Sequence, residues 1–379
     1  MKKVFVNIIL MLAVTHSSFS LETKLDFENQ INLWANYNPK NELNFNSGLR
    51  WIPELNPGIS FKNGTLLDFD VSINATAQLS TVPTDSVYAE GQIKFYRRWM
   101  RYSGDQFEIR AGLQKINFGS ASIIRPLMWF DQIDPRDPLQ LTDGVRGILG
   151  RYYFLNNANI WLWVLYGNTE QRPFDIGKST KNTPEAGGRL QYPIPTGEAA
   201  ITYHFRNAEY EKTQLEGIDT LKIPEHRLGF DFKVDIGIGL WVEASQISKM
   251  QKIGMMTNQF MINLGMDYTF SIGNGLYVAT EQLFGSYDST AFQMKNTFGF
   301  TAISANYPIG IADNINFISF IDWKNENAYN FINWEHFINP VKMYLIAYWN
   351  PEKYYLPQQG ESGAMFAGWG LQVLGVWNF

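Results

Sequence analysis

Acidic and basic residues lie close together in one long segment, residues 119–145. The segment contains Arg125, Asp131, Asp134, Arg136 and Asp137. Guanidinium and carboxylate groups form strong, directional hydrogen bonds, so these side chains could pair with one another or set a fixed field for passing ions. A calcium site is the alternative, because Asp143 supplies a fourth carboxylate, but the spacing lacks the pattern of a calcium-binding loop.

The same segment is rich in large apolar side chains, which a solvated surface loop would not carry. They are Ile123, Ile124, Leu127, Met128, Trp129, Phe130 and Ile133. Because apolar side chains are stable where they are buried, we predict that residues 119–145 fold inward. Their charged groups would there meet Arg110, Lys115 and Arg151 from neighbouring segments. A packed cap on the outside of the fold is the alternative.

The elements that position these residues are predicted to be β-strands. Between Leu67 and Gln78 every odd position is apolar and every even position is polar, and the even positions between Phe260 and Phe270 are all apolar. A strand places alternate residues on opposite faces, whereas a helix would scatter them around its surface. These runs reach the roughly 9–11 residues that a tilted membrane-spanning strand requires.

The alternation predicts an all-β fold, a transmembrane antiparallel up-and-down β-barrel of about eighteen strands. The strands are predicted at residues 25–37, 43–61, 66–79, 88–102, 106–118, 146–155, 159–167, 187–194, 198–206, 226–235, 239–248, 259–271, 275–285, 293–304, 313–323, 328–337, 341–349 and 363–379. A barrel of about sixteen strands is the alternative, because 187–194 and 328–337 alternate weakly.

Two predicted strands break the alternation. In residues 88–102, Arg97, Arg98 and Arg101 cannot all share the face of Glu90. Either a bulge shifts the phase of this strand, or its end lies among lipid headgroups. The strand at 106–118 also changes phase near Lys115.

The two ends of the chain indicate its compartment. Lys2 and Lys3 precede an apolar run that ends in small residues at Ser18 and Ser20, which predicts a secretory signal peptide over residues 1–20. The chain ends in an alternating strand that closes with Phe379, as is typical of outer-membrane barrels. No linker divides residues 21–379, so we predict a single barrel domain in the outer membrane.

Composition restricts the function further. Aromatic residues make up 15% of the chain, the mean hydropathy is −0.21, and there is no cysteine, which excludes disulfides and thiolate metal sites. A net charge of −5 argues against nucleic acid as a partner. His204, His226 and His336 belong to no nucleophile motif, so we predict a protein that is not an enzyme. No cofactor motif is present.

Three runs in the first half of the chain resemble the alginate-export-type outer-membrane porins. They are Arg110–Gly119, Arg125–Asp131 and Asp134–Pro138. The resemblance implies a barrel of the same strand number, with an arginine-rich inner wall suited to an anionic polysaccharide. It also implies that the barrel-assembly machinery recognises the last strand, at Phe379. By the predicted phase, however, acids and bases roughly balance inside this barrel, which favours neutral or zwitterionic solutes.

The pattern and the resemblance together predict a porin, a passive channel for small polar solutes or oligosaccharides, surrounded by lipid and lipopolysaccharide. We expect its constriction to be lined by Arg110, Lys115, Arg125, Asp131, Asp134, Arg136, Asp137 and Arg151. The alternatives are an export channel for a surface polysaccharide, a non-conducting adhesin or scaffold, and a barrel enzyme.

Overall fold

The computed structural model describes residues 22–40, 44–82, 86–211, 220–352 and 366–379. The predicted signal peptide lies outside these residues. Within them the chain forms one antiparallel sheet of the strands β1 (Glu22–Tyr37), β2 (Phe45–Ser60), β3 (Leu66–Val82), β4 (Ser86–Gly104), β5 (Phe107–Gln114), β6 (Val145–Tyr153), β7 (Asn159–Leu165), β8 (Lys178–Ser179), β9 (Glu185–Ile194), β10 (Gly197–Glu211), β11 (Thr220–Asp235), β12 (Gly239–Lys249), β13 (Asn258–Phe270), β14 (Leu276–Asp288), β15 (Thr297–Pro308), β16 (Asp313–Asp322), β17 (Asn327–Ile338), β18 (Val341–Trp349) and β19 (Trp369–Asn378). A short 3-10 helix covers Gly254–Thr257.

Each strand pairs with its neighbours along the chain, and the sheet closes where β1 pairs with β19, for example Leu33 with Gly375. The two-residue strand β8 only adds to the edge of β10, so the closed barrel has eighteen strands, as predicted. The weakly alternating segments are the strands β9 and β17, so the sixteen-strand alternative is wrong.

The outer face of the barrel is apolar and the inner face is polar. Leu264, Met266 and Tyr268 of β13 are exposed, while Asn263, next to Leu264 on the opposite face, is fully buried. The last strand repeats this pattern, with Leu371 exposed on the outer side. An apolar outer band and a polar interior are the properties of a barrel that lies in lipid. Among the described residues, no helix combines the length and hydropathy needed to cross a membrane.

The predicted break in the strand at 88–102 is a β-bulge. Ser72 of β3 pairs with Arg97, but the next residue pairs with Phe95, so Tyr96 has no partner in the ladder. A bulge moves all later side chains to the opposite face. Arg97 is therefore buried on the inner face, while Arg98 is exposed on the outer face, with its guanidinium 4.6 Å from the ring of Phe95.

The strand predicted at 106–118 is shorter than expected and ends at Gln114. Near this end Gly112 has a φ of 128°, and a side chain there would lie 2.2 Å from the carbonyl oxygen of Arg98. Only glycine fits this conformation without strain. The chain then leaves the sheet as the β5–β6 connection, residues 115–144.

The β5–β6 connection packs against the inner face of the barrel through two apolar clusters. Ile123, Ile124 and Met128 join Trp241, Met261, Leu283 and other side chains of β12–β18. Leu127, Trp129 and Phe130 join Phe118, Leu149, Trp163 and Leu165 next to β6 and β7. These contacts bury the apolar side chains that the sequence places in this connection, except Ile133, which is half-buried. They also hold the backbone of the connection close to opposite sides of the wall.

Candidate functional site

A buried carboxylate on β14 holds the β5–β6 connection in place. Glu281 accepts hydrogen bonds from the backbone N–H groups of Ser122 (2.7 Å), Ile123 (3.1 Å) and Ile124 (2.5 Å). It also accepts hydrogen bonds from the Ser122 hydroxyl, from Trp241 Nε1 at 3.1 Å, and from Asn263 Nδ2 at 2.9 Å. Because hydrogen bonds to a carboxylate are strong, the four donors from Ser122, Ile123 and Ile124 fix this part of the connection, while Trp241 and Asn263 orient the carboxylate.

A second carboxylate, Glu243 of β12, binds the same connection. It accepts the N–H of Ala121 at 3.0 Å and the N–H of Leu127 at 2.7 Å. Gly119 lies against this carboxylate with a φ of 106°, and a side chain there would come within 2.3 Å of Glu243 Oε2. Sequence reasoning placed both glutamates on the inner face but missed their role, because nothing in a strand pattern reports which backbone a carboxylate will meet.

Two of the predicted site residues pair with each other inside the connection. Arg125 Nη1 donates to Asp131 Oδ1 at 3.1 Å, and Nη2 donates to the carbonyl oxygen of Phe118 at 3.1 Å and to the Asn117 side chain. Both Arg125 and Asp131 are buried. Their charges compensate one another, so the pair closes the connection on itself rather than presenting a charge to a solute.

Three others lie further along the connection. Arg136 Nε donates to Asp134 Oδ1 at 2.7 Å, and its guanidinium stands 5.0 Å from the ring centre of Phe331 on β17. Asp137 accepts the N–H of Leu139 at 2.9 Å, and burial raises the pKa of this carboxyl above its ordinary value. Arg136 and Asp137 line a cavity beside the connection.

The basic residues predicted on β5 and β6 form a ladder across the inner face. Arg101 makes a two-point contact with Asp68, at 3.0 and 2.7 Å, and lies 3.6 Å from Glu108. Glu108 also pairs with Arg110 at 3.4 Å and with Arg151 at 3.1 Å. Three guanidinium groups around two carboxylates leave a local excess of one positive charge. Lys115, by contrast, is exposed at the start of the connection.

A separate ionic cluster, missed by sequence reasoning, lies on β10 and β11. Glu225 binds the guanidinium groups of Arg206 and Arg227, and accepts the hydroxyl of Tyr210 at 2.7 Å. Asp175, from the connection between β7 and β9, pairs with both arginines at 2.9 and 2.8 Å. Every one of these groups is buried, so the cluster fastens a second connection to the inner face.

The histidines have structural partners. His204 lies between Trp163, which donates to its Nδ1 at 3.2 Å, and Glu185, 3.1 Å from its Nε2. His226 Nδ1 is 2.7 Å from the hydroxyl of Tyr203, and His336 Nδ1 is 2.8 Å from a carboxylate oxygen of Asp313. Each contact fixes the orientation of its imidazole ring.

Opposite the ionic ladder, the inner face is lined by amides. Asn306, Asn316 and Asn333 are direct neighbours across β15, β16 and β17. Asn316 Nδ2 donates to Asn333 Oδ1 at 3.0 Å, and Asn306 donates to Asn316. These residues, with Tyr277 and Tyr344, face Arg136 and Asp137 across the cavity, whose volume is about 430 Å³. The cavity therefore lies between the part of the β5–β6 connection around Arg136 and Asp137 and the inner face of the strands β14–β18.

No protein-family model matches this chain, and neither does any curated protein. Solved structures do match. The anion-selective porin from Comamonas acidovorans aligns with 94% of this chain and 100% of its own, at 11% identity and a TM-score of 0.51. OccK5 (OpdH) from Pseudomonas aeruginosa aligns at 9% identity and a TM-score of 0.55, over 94% of this chain and 98% of its own.

Salmonella typhi OmpF, in a complex with daunomycin, aligns at 9% identity and a TM-score of 0.51, over 94% of this chain and 98% of its own. At these identities the likeness concerns the fold alone. All three alignments extend over nearly the whole barrel, so they agree with the closed, all-antiparallel architecture described above.

Proposed function

We propose that this protein is an outer-membrane channel through which small hydrophilic solutes diffuse. The observation that carries the proposal is the division between an exposed apolar outer face and a polar inner face around a closed barrel. Such a cylinder is stable in a bilayer and offers water and polar groups a path through it. Two solved structures of similar fold are described as an anion-selective porin and as OmpF, which supports the same function.

The β5–β6 connection narrows this channel in our proposal. Glu243 and Glu281 bind its backbone, and its apolar side chains fill part of the space enclosed by the wall. The passage would then run beside the connection, along Arg136 and Asp137. Arg110 and Arg151 would contribute a positive field on the other side, whereas Arg125 and Asp131 would stabilise the connection itself. Lys115 would act on solutes near the entrance.

The resemblance to alginate-export-type porins suggests export of a polyanion as a second function. The arginines of β4–β6 favour it, because Arg101, Arg110 and Arg151 form a basic patch. Their pairing with Asp68 and Glu108 weakens that field, since only one positive charge remains uncompensated. We therefore favour diffusion of solutes with little net charge.

Reconstitution in a planar bilayer tests the proposal. The purified barrel should conduct KCl steadily without any partner protein. A barrel that inserts but stays silent would contradict a diffusion channel and would favour a gated export device or a non-conducting scaffold. Lipid hydrolysis that disappears in His204→Ala would instead indicate an enzyme.

Removal of residues 123–140 tests the constriction. Conductance should rise, because the chain that fills the interior is gone. Since this deletion also removes apolar contacts, Glu281→Gln serves as a milder variant, which should loosen the connection and increase the fluctuation of the current. An unchanged current in both variants would place the connection outside the path of the ions.

A further inference from the structure

A cavity between the β5–β6 connection and the strands β14–β18 has the chemistry of a binding site. We propose that it is a sugar-selective subsite of the channel, in which an uncharged saccharide binds transiently as it passes. This inference rests on the proposed diffusion function and adds the class of solute. At about 430 Å³ the cavity falls within the range of roughly 300–1,000 Å³ that small-molecule sites occupy.

A row of amides lines one side of the cavity. Asn306, Asn316 and Asn333 are hydrogen-bonded in series across three adjacent strands. Asn316 uses its oxygen and one N–H on its two neighbours, whereas Asn306 and Asn333 each use one group in the row and keep the other for a solute. One end of the row then offers a donor and the other end an acceptor, whichever way the amides are oriented. Sugar hydroxyl groups both donate and accept, so they suit this surface.

Aromatic side chains line the cavity beside the amides. Tyr344 is buried, and Tyr277 donates its hydroxyl to Asp267 at 3.1 Å, which fixes the orientation of its ring. Phe331 also lines the cavity. The faces of a sugar ring carry C–H groups and are apolar, so a fixed aromatic side chain can pack against them while the ring hydroxyls reach the amides.

The charged side chains around the cavity already have partners, which are opposite charges or backbone N–H groups. Arg136 is bound to Asp134, and Glu335 lies 3.3 Å from Lys342. Asp137 accepts the backbone N–H groups of Leu139 at 2.9 Å and Leu141 at 3.4 Å. A charged solute would lose hydration here without gaining an opposite charge, whereas a neutral polyol loses little.

The test compares three solutes of one ring size, which are glucose, glucuronate and glucosamine. Proteoliposomes that contain the full chain should swell several-fold faster in glucose than in either charged sugar, after correction for the counterions. In Asn316→Leu the glucose rate should fall about fivefold, the effect of one lost hydrogen bond in the passage. The presence of KCl conductance in this variant, whatever its size, shows that the barrel has folded and inserted.

The matched control is Asn74→Leu on β3, because Asn74 is also buried on the inner face but does not line the cavity. It should leave the glucose rate unchanged. Asn333→Gln, which keeps an amide at the cavity, should retain most of the glucose rate, whereas Asn333→Leu should not.

Equal rates for the three sugars in the wild type would overturn the proposal, and so would an equal loss in Asn74→Leu and Asn316→Leu. If the wild type conducts KCl and either of these results is obtained, the sugar subsite alone is refuted. A wild type without KCl conductance would refute the diffusion channel, and the subsite with it.

Discussion

The two sides of the inner wall differ in how they satisfy polar groups. From β4 to β14 the inner face carries many arginines and carboxylates, and most of them are paired, as Arg189 is with Asp231 at 2.5 and 2.9 Å. From β15 through β19 the described residues carry few charges on this face, and amides and aromatic rings replace them, such as Asn316 and Tyr344. We name these regions the ionic wall and the amide wall.

The difference corresponds to what each wall touches. The ionic wall holds the connections, since Glu243 and Glu281 bind the β5–β6 connection and Arg206 and Arg227 bind Asp175. The amide wall faces the cavity. Charged groups hold a peptide backbone firmly because a buried charge that loses its partner is costly, whereas neutral amides exchange partners at little cost.

The largest effect is expected from Glu281→Gln on the ionic wall. The amide accepts on only one of its two atoms, so either the hydrogen bonds to Ser122 and Ile123 or the one to Ile124 are lost. We expect a loss of about 2–5 kcal/mol in the stability of the packed connection. Protease cleavage within residues 115–144 of the reconstituted barrel measures it.

Glu335→Gln on the amide wall is the control, since Glu335 pairs only across a partly exposed contact with Lys342. It should leave cleavage unchanged. Equal cleavage in both variants would show that the two walls do not differ in this respect.

The next effect is expected from Gly119→Ala. A methyl group at this position meets the carboxylate of Glu243, and the φ of 106° disfavours any side chain. The strain is about 1–3 kcal/mol, and it should appear as faster cleavage of the β5–β6 connection. Gly150→Ala is the matched control, because a side chain there meets nothing within 4 Å. If Gly150→Ala loosened the connection as much, the strain at Gly119 would not be the cause.

A smaller effect is expected from Arg110→Gln in the ladder. It removes one positive charge and leaves Glu108 less compensated. The reversal potential in a KCl gradient should shift toward cation selectivity, by about twofold to fivefold in the permeability ratio. Lys342→Gln on the amide wall serves for comparison and should shift it less, since Lys342 is more exposed to solvent and its charge is better screened. A larger shift in Lys342→Gln would mean that the amide wall, and not the ionic wall, has the stronger effect on ion selectivity.

The smallest effect is expected from Asp137→Asn. Burial raises the pKa of this carboxyl, so its charged form destabilises the fold at pH values above the folded-state pKa. This cost declines as the pH falls through the folded-state pKa and is gone below the unfolded-state pKa. Asparagine should therefore stabilise the connection slightly at neutral pH, by less than about 1 kcal/mol, and change nothing at acidic pH. The temperature of thermal unfolding at both values measures this. A loss of stability at neutral pH would mean that the charge is needed.

The number of strands, their faces and most of their centres could be predicted from sequence. Alternation over Leu67–Gln78 assigns each residue to a face, because a strand has a period of two and one face of this sheet is exposed and apolar. The break at Arg97–Arg101 was recognisable as well. Its cause was not, because a bulge and a strand end give the same pattern in a single sequence. The pairing of β3 with β4 distinguishes them.

The candidate site was predictable only in part. The apolar content of residues 119–145 indicated burial, and acidic and basic residues could be assigned to the inner face. The partners of these residues could not be predicted. Arg125 pairs with Asp131 within its own connection, while Glu281 lies more than 150 positions away from the backbone it binds. Contacts between distant segments depend on how the sheet closes, which no local pattern specifies.

The sequence by itself therefore determined an eighteen-stranded all-β chain with an apolar and a polar face, because successive side chains of a strand point to opposite faces of the sheet. The tertiary structure alone decided that carboxylates on β12 and β14 would hold the β5–β6 connection, and that amides from β15, β16 and β17 would meet in one row. Closure of the barrel creates both arrangements, because it brings distant segments into contact. The register between the strands then decides which residues are aligned.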